Sequence, residues 1–457
     1  MSSFMQADDQ AANDITSPLR LTLKPPLGWN SFDSYGCAAS ETVLLANAEA
    51  MEKRLKPSGY EYFVVDNGWF AEYELETGSY YPKVRHADDV HIDEYGRYQP
   101  SKVYFPNGLQ PLIDRVHELG LKFGIHLMRG IPRKAVERNV AIYGTNVHAA
   151  DIANIDDTCS WCHYNYGVDM SKPGAQSFYD SLIHMLAAWG VDFIKADDIT
   201  GHPQEIKALV TAIASSGRDI VLSLSPGGQT NPVHMNVYQQ ANMLRTTKDI
   251  WDNRSDLDKA FNAWHAYNDY RKEGFWLDLD MIPFGHLQLW KPRRPGEQAE
   301  TSPEKELSGK GFERMDGLSI HQKYTFITIR ALAASPLFMG GDLLSSDEFS
   351  YELITNRGML ACNQNGVMGA RVYAEDGVEV WAVSHRISPD DGWIGIFNRH
   401  QEKKSVRFTL DKLSLKQGRD YTLDNIWNTP DFLLTDRVLS AVIDGDGVLF
   451  LHYHSST

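Results

Sequence analysis

The feature that most constrains the fold is a regular alternation of short apolar runs with amphipathic helical patterns, from about residue 25 to residue 345. Eight apolar runs have the length and composition of strands: LGWNSF, YEYFVVD, KFGIHLM, VDFIKAD, DIVLSLS, ANMLRTT, FWLDLDM and SPLFMGGD. Helical segments lie between them, such as SETVLLANAEAMEKRL, with Ser40 as its N-cap, and AQSFYDSLIHMLAAWG, which ends at Gly190. This alternation predicts βα units and a parallel sheet.

The number of units favours an α/β protein with a (β/α)8 TIM barrel over residues 21–360, with insertions after the second, third and seventh strands. A doubly wound open sheet would carry a Gly-rich phosphate-binding sequence at its first turn, and GWNSFDSYG is not such a sequence. After about residue 365 the apolar period becomes two, in VEVWAVSHR, DGWIGIFNR, SVRFTL and GVLFLHYH. This change predicts a C-terminal antiparallel β-sandwich domain, residues 361–457.

The composition of the chain limits which partners it can bind and indicates its cellular compartment. The net charge of −16 argues against nucleic acid and anionic membranes as partners, because both are polyanions. Residues 1–20 lack the basic start and apolar run of a signal peptide, so they are predicted to form a flexible N-terminal tail. The chain has no 18-residue apolar span, and its 4 cysteines are scattered. We therefore expect a cytoplasmic protein. The sequence does not decide between a monomer and a homo-oligomer.

The pair Cys159 and Cys162, in CSWC, has the spacing of half a zinc site or of a redox pair. A structural zinc site needs a second pair of ligands at similar spacing, and neither a second CxxC nor a neighbouring histidine pair is present. We therefore assign no metal or redox role to this pair.

Charged and polar residues stand at the carboxyl ends of several predicted strands, where a TIM barrel has its active site. These residues are Asp66, Asn67, Lys195, Asp197, Arg245, Asp249, Asp278 and Asp280. Lys195 and Asp197 lie two positions apart and therefore share one face of their strand. Buried charges are costly unless they are paired, so a ring of carboxylates with two cations indicates a functional cluster more than core packing.

Facing carboxylates in a pocket with aromatic walls are the requirement for glycoside hydrolysis. One carboxyl group protonates the leaving oxygen, and the other attacks the sugar or stabilises its cation. Five aromatic residues stand at or near predicted strand ends, where they can pack on a pyranose ring: Trp29, Phe32, Trp69, Trp251 and Trp276.

These motifs together resemble glycoside hydrolase family 27, which contains α-galactosidases and α-N-acetylgalactosaminidases. PPLGWNSF resembles the opening strand motif of the family, and FPNGLQPLIDRVHELGLKFGIH resembles its third unit. DFIKAD, the Arg-x3-Asp segment RTTKD and the DxDM segment LDLDM follow in the family's order. The resemblance covers nearly the whole chain and implies a (β/α)8 barrel followed by an antiparallel β domain.

The resemblance also implies roles for individual residues. Asp197 is the expected nucleophile, and Lys195 is expected to hold sugar hydroxyls. Asp249 is the expected general acid and base. The expected sugar contacts are Trp29, Asp66, Asn67, His126, Lys195, Ser225, Arg245 and Asp280.

Residues in three segments depart from the family pattern. Asn67 stands where the family has the second of two paired acids, and His126 stands where it has an aromatic residue. Ser225, Pro226 and Gly227 replace the Glu-Trp of galactosidases after the fifth strand. Ser225 favours the acetamide-tolerant type, whereas Asn67 suits a pyranose without a C6 hydroxyl, such as L-arabinopyranose. The departures bear on the identity of the sugar.

The resulting hypothesis is a retaining exo-glycosidase that releases terminal α-galactose-like residues from a small carbohydrate substrate. α-N-acetylgalactosaminidase and β-L-arabinopyranosidase activities are alternatives on the same scaffold. The resemblance implies no metal and no organic cofactor. Two more distant alternatives are a Schiff-base aldolase that uses Lys195 and a sugar-binding protein without catalysis.

Overall fold

The computed structural model describes residues 17–72, 90–228, 230–290 and 311–455, and it contains the eight predicted barrel strands. They are β1 (Leu27–Asn30), β2 (Tyr62–Val65), β3 (Lys122–Met128), β4 (Phe193–Asp197), β5 (Val221–Leu224), β6 (Met243–Arg245), β7 (Trp276–Asp278) and β8 (Leu337–Met339). All neighbours are parallel, in the order β7-β6-β5-β4-β3-β2-β1-β8.

The two edges of this sheet meet through the residues that follow β7. The Ile282 N–H donates a hydrogen bond of 2.8 Å to the Phe338 carbonyl, and the Gly340 N–H donates one of 2.9 Å to the Ile282 carbonyl. These bonds form a parallel bridge between Ile282 and Met339. The curled sheet is therefore a barrel, as the alternating pattern predicts.

Strand alternation decides which side chains enter the barrel. The rings of Tyr62, Phe193 and Phe338 pack together inside it, with centroids of Phe193 and Phe338 5.4 Å apart. Lys195 and then Asp197 follow Phe193 on the same face of β4. An aromatic layer thus fills the barrel beneath the charged residues at its carboxyl end.

One helix accompanies each strand on the outside of the barrel. The helices are α1 (Glu41–Arg54), α2 (Gln110–Glu118), α3 (Ala175–Trp189), α4 (Pro203–Ser215), α5 (Met235–Tyr238), α6 (Arg254–Tyr267), α7 (Ile320–Leu332) and α8 (Arg357–Gln364). Ser40 directly precedes α1 as predicted, although its side chain makes no capping hydrogen bond. Gly190 ends α3 with a φ of 100°, a left-handed conformation that favours glycine.

The insertions predicted after the third and seventh strands are present, and residues 73–89 of the one predicted after the second strand lie outside the described residues. After β3, a small sheet is formed by Ile131–Pro132, Asn165–Val168 and Ala153–Thr158, with the short helices Arg133–Glu137 and Ala149–Ile152. After β7, His286–Leu287 pairs with Arg314–Met315. The remaining short elements are Phe32–Tyr35, Glu348–Ile354 and the 3-10 turns Ser17–Thr22, Lys56–Ser58, Pro232–His234, Asn268–Tyr270 and Leu410–Leu413. Most of the predicted N-terminal tail, residues 1–16, lies outside the described residues.

The C-terminal region contains two antiparallel sheets. Its strands are β9 (Ala370–Glu375), β10 (Val378–Ser384), β11 (Asp391–Asn398), β12 (Lys404–Thr409), β13 (Tyr421–Asn425), β14 (Phe432–Thr435), β15 (Val438–Ile443) and β16 (Val448–Ser455). The sheet β9-β10-β11-β16-β13 faces the sheet β12-β15-β14. A shared apolar core that includes Val380, Ile394 and Leu439 lies between them, which confirms the predicted sandwich.

The larger sheet also packs against the barrel, because alternate residues of its strands face the other way. Trp381 of β10 stacks on Trp264 of α6 with ring centroids 3.7 Å apart, and Phe397 of β11 contacts Phe261. The predicted domain boundary at residues 360 and 361 falls inside α8. Within the described residues, no helix combines the length and the apolar character needed to cross a membrane.

Candidate active site

A pocket of about 230 Å³ opens at the carboxyl ends of the barrel strands. Eight of the ten predicted site residues line it: Asp66, Asn67, His126, Lys195, Asp197, Arg245, Asp249 and Asp280. Because they come from the ends of β2, β3, β4, β6 and β7, the closed barrel brings together residues far apart in the sequence.

Asp197, the last residue of β4, is held in its ionised form. His126 Nε2 lies 3.1 Å from its Oδ2, and the Asp198 N–H donates a 2.9 Å hydrogen bond to its Oδ1. Burial alone would raise the pKa of Asp197, but the hydrogen bond from His126 and the charges of Lys195 and Arg245 lower it below its ordinary value. The result is a carboxylate with a fixed orientation at the centre of the pocket.

Lys195 forms an ion pair with Asp66, with 2.7 Å between Nζ and Oδ2. The Asn30 amide donates a second hydrogen bond of 2.7 Å to the same oxygen. Burial would lower the pKa of Lys195, but Asp66 and Asp197 raise it above its ordinary value. Lys195 is therefore a permanent ammonium group, which counts against a Schiff-base role because that chemistry needs a neutral amine.

Asp249 occupies a different environment on the other side of the pocket. Its Oδ1 lies 2.8 Å from Arg245 Nη1, which also contacts Asp280 at 3.2 Å, and 35% of its side chain stays exposed. Enclosure by the pocket raises the pKa of Asp249; Arg245 opposes this, while Asp280 and Asp197 add to it. The two carboxyl groups thus have pKa values displaced in opposite directions.

Two predicted contacts lie elsewhere. Trp29 faces away from the barrel interior, is fully buried, stacks on Phe63 at 4.8 Å and donates a hydrogen bond to the Gly341 carbonyl. Ser225 points into a small cavity beneath the pocket that it shares with Asn30 and Ser223. The wall above Ser225 is formed by Pro226, Gly227 and Gly228.

Several residues of the pocket lie outside the set of predicted sugar contacts. Phe32 and Trp251 stood among the five candidate aromatics and line it, whereas Trp161, Lys248 and Asp33 had not been assigned. Asp33 is only 3% exposed, and its Oδ2 has no hydrogen-bond partner. Burial, followed by the charge of Asp280, raises the pKa of Asp33 well above its ordinary value. The Asp in NSFDSYG stands in a segment without clear periodicity, which gave no signal for its position.

Unpartnered polar atoms concentrate around this pocket. In the described part of the chain, the buried side-chain atoms without a hydrogen bond include Asp33 Oδ2, Asn67 Oδ1, His126 Nδ1, Ser225 Oγ, Arg245 Nε and Thr247 Oγ1. Folded proteins pair nearly all buried polar groups, so such a concentration is typical of a site that binds a polar ligand.

A second group of charges, the Arg129 cluster, lies directly behind Asp197 and consists of Arg129, Asp157, Asp198 and Glu205. The Arg129 guanidinium contacts Asp157 at 2.7 Å, Asp198 at 3.0 Å and Glu205 at 3.2 Å. Its backbone N–H donates a hydrogen bond to the Asp197 carbonyl. This cluster connects the ends of β3 and β4 with the insertion that follows β3.

The CSWC segment supports the pocket wall. Cys159 and Cys162 are buried free thiols, and burial raises the pKa of both, to about 12 for Cys159. The Cys159 thiol hydrogen-bonds Asp198, and Trp161 between the two cysteines lines the pocket. Such thiols are poor nucleophiles, which agrees with a packing role.

Comparisons with known proteins point to one family. Residues 25–214 match the Melibiase family of domains. The chain is 36% identical to a GH27 β-L-arabinopyranosidase from Geobacillus stearothermophilus over 95% of this chain and 97% of that chain, with a TM-score of 0.85. It is 33% identical to a candidate α-N-acetylgalactosaminidase from Bacillus halodurans over 94% and 97% of the two chains, with a TM-score of 0.78. An α-galactosidase from Cyamopsis tetragonoloba is 26% identical over 92% of this chain and 84% of that protein. The chain therefore belongs to glycoside hydrolase family 27 and is a glycoside hydrolase.

Proposed function

We propose that the protein is a retaining exo-glycosidase in which Asp197 is the nucleophile and Asp249 is the general acid and base. The observation that carries this proposal is geometric: the two carboxyl groups line one pocket, Asp197 held by His126 and the Asp198 N–H, and Asp249 partly exposed beside Arg245. An ionised carboxylate attacks the anomeric carbon while a protonated one donates to the leaving oxygen. Water, deprotonated by Asp249, then releases the sugar from Asp197.

The first test is the stereochemistry of hydrolysis. Proton NMR of the first product should show the anomeric configuration of the substrate, because two displacements restore it. In retaining enzymes the two carboxyl groups are about 5–5.5 Å apart, whereas inversion needs about 6.5–9.5 Å to admit a water molecule. An inverted first product would contradict the assignment of Asp197 as nucleophile.

For the sugar, we propose pyranosides of galactose configuration: α-galactosides and β-L-arabinopyranosides, which differ at C6. Asn67 supports acceptance of the arabinopyranoside, since an amide holds a hydroxyl less strongly than a carboxylate does. The similarity to the β-L-arabinopyranosidase points the same way. The kcat/KM values for the two p-nitrophenyl glycosides should therefore be comparable, and Asn67→Asp should shift their ratio towards the galactoside. An unchanged ratio would show that residue 67 does not contact the part of the sugar that differs.

α-N-acetylgalactosaminides are the second candidate substrates, because Gly227 and Gly228 form part of the pocket wall and have no side chains. Apart from its two chain neighbours, no described residue has an atom within 4 Å of a Cβ added at Gly228, so this wall leaves room for an acetamide group. Gly228→Ala should then lower kcat/KM for the N-acetylgalactosaminide and leave the galactoside unaffected. Ser225→Glu provides a companion test, because a carboxylate there should abolish N-acetyl activity if position 225 determines the C2 substituent. Equal effects on both substrates would reject this candidate.

Asp33 is proposed to bind a sugar hydroxyl as a neutral carboxylic acid, which can donate a hydrogen bond. A Cβ at Gly340 would lie 2.0 Å from its Oδ2, so close packing fixes the side chain in place. Asp33→Ala should lower kcat/KM about tenfold, the size of one hydrogen bond of about 1.4 kcal/mol. Asp33→Asn keeps a neutral donor and should lose less. Wild-type kcat/KM in the alanine variant would remove Asp33 from the binding site.

A further inference from the structure

Two groups of potential metal ligands lie outside the pocket in the part of the chain that the structure describes. In the first, Asp157, His202 and Glu205, both carboxylates accept hydrogen bonds from Arg129, so a metal ion would compete with a bound guanidinium. The second consists of Asp424, His452 and His454 in the β-sandwich. No lysine or arginine pairs with these three residues within the described ranges.

Strand geometry brings the second group together. His452 and His454 lie two positions apart in β16, so their side chains leave the same face. Asp424 of the edge strand β13 is the direct partner of His452 in the antiparallel ladder. Consequently both Nδ1 atoms lie near one carboxylate oxygen, Asp424 Oδ2, at 4.0 Å from His452 and 3.6 Å from His454.

These distances suit a shared metal ion better than hydrogen bonds. A charge-assisted hydrogen bond to a carboxylate is about 2.7–2.9 Å long, shorter than either separation. Two ligands at about 2.0–2.1 Å from a tetrahedral zinc ion stand about 3.4 Å apart. A small inward movement of His452 would therefore bring all three ligand atoms to bonding distance of one ion.

The protonation of His452 also suits metal binding. Its Nε2 lies 2.7 Å from Asp391 Oδ1 of β11, so this carboxylate keeps the proton on Nε2. The Nδ1 lone pair is then available to a metal ion, with Asp424 Oδ2 4.0 Å away. In protein metal sites, a ligating histidine usually donates a hydrogen bond from its other nitrogen to a carboxylate, which orients the ring. Trp393 packs against the same ring at 5.2 Å and limits its rotation.

We propose that Asp424, His452 and His454 bind one divalent transition-metal ion, best matched by zinc, through two imidazole nitrogens and one carboxylate oxygen. Solvent has access to complete the coordination, because 61% of the Asp424 side chain is exposed. The ion would link the edge strand β13 to β16. None of its ligands lines the catalytic pocket, so this site is independent of the proposed reaction.

Isothermal titration of zinc chloride into the full-length, tag-free and chelator-treated protein tests the proposal. Wild type should bind one ion per chain. His454→Ala and Asp424→Asn should each weaken binding at least tenfold, and Asp391→Asn should weaken it about 10–100-fold, as expected for an orienting carboxylate. His184→Ala is the control, because that exposed histidine contacts Ser215 far from the sandwich.

Absence of zinc binding by wild type would overturn the proposal, and so would unchanged binding in both His454→Ala and Asp424→Asn. Thermal unfolding without zinc should be the same for the variants and wild type, which separates loss of a ligand from loss of fold. If His454→Ala fails to fold, the isosteric Asp424→Asn decides the question. Equal weakening by His184→Ala would also reject the site, because it would indicate unspecific histidine binding.

Discussion

Two groups of buried charges lie back to back at the end of β4, and they differ in how completely they are paired. The pocket group, around Asp197 and Asp249, includes polar atoms without partners, such as Asn67 Oδ1 and His126 Nδ1. In the Arg129 cluster, one guanidinium contacts three carboxylates, and none of its buried side-chain atoms lacks a partner. Charge density alone therefore does not distinguish the pocket from the Arg129 cluster; unsatisfied hydrogen-bonding capacity does.

The adjacent residues Asp197 and Asp198 belong to different groups, so one pair of isosteric variants separates them. Asp197→Asn should reduce kcat at least a thousandfold, a loss of about 4 kcal/mol in transition-state stabilisation, and leave the melting temperature unchanged or higher. Asp198→Asn should lower stability and leave activity within about tenfold of wild type, since its carboxylate contacts Arg129 and not the substrate. If Asp197→Asn, free of contaminating enzyme, kept more than a thousandth of wild-type activity, the assignment of Asp197 and Asp198 to two different groups would be contradicted.

Asp249→Ala should have the next largest effect, and its size should depend on the leaving group. General acid catalysis contributes about 10²–10⁴-fold, so substrates with alkyl or sugar leaving groups should lose that factor. Aryl glycosides with acidic phenols need little protonation and should lose far less, and azide should restore part of the turnover. Equal losses on both substrate types would assign the acid to another residue.

Arg129→Met tests whether the Arg129 cluster contributes to stability and not to activity. Removal of the cation leaves three carboxylates without their partner, and such a loss typically costs about 3–5 kcal/mol. Chemical denaturation should show this destabilisation, while the folded fraction at low temperature should keep kcat/KM within about tenfold. A stable variant with a thousandfold loss of activity would place Arg129 in the catalytic machinery instead.

The pH dependence of stability should give the smallest effect. Burial, opposed by Arg129, raises the pKa of Glu205 to about 7 from 4.5. Because the folded-state pKa is raised, the stabilising contribution of protonated Glu205 is complete below about pH 4.5 and is lost as the pH rises through about 7. The melting temperature of wild type should therefore fall relative to that of Glu205→Gln as the pH rises from 5 to 8. A constant difference across this range would show that Glu205 does not titrate there; exposed Glu118→Gln serves as the control.

The sequence predicted the barrel because the strand and helix periods are local signals. All eight strands were found at the predicted positions, and alternation correctly placed Lys195 and Asp197 on one face. Four sandwich strands lie outside the quoted period-two segments. β9, β13 and β14 are largely exposed, which weakens the pattern, and β15 (VLSAVI) alternates in burial but carries apolar residues on both faces.

Contacts between distant loops could not be predicted in the same way. No motif indicates the partners of Arg129, since they lie 28, 69 and 76 positions away, two of them outside any strand. Phe32 lies in a short helix after β1 and reaches the pocket, whereas Trp29 within the strand faces the helical layer. Of the two candidate aromatics in the opening motif, Phe32 lines the pocket and Trp29 does not.

The central claim, that Asp197 attacks the sugar, is tested most directly by trapping the covalent intermediate. A fluorinated galactosyl or arabinopyranosyl fluoride slows the second displacement, so the glycosyl-enzyme should accumulate in wild type. Intact-mass spectrometry should then show one added glycosyl unit per chain, and peptide mapping should place it on Asp197, with no adduct in Asp197→Asn. An adduct on any other residue, or steady turnover by Asp197→Asn, would contradict the account.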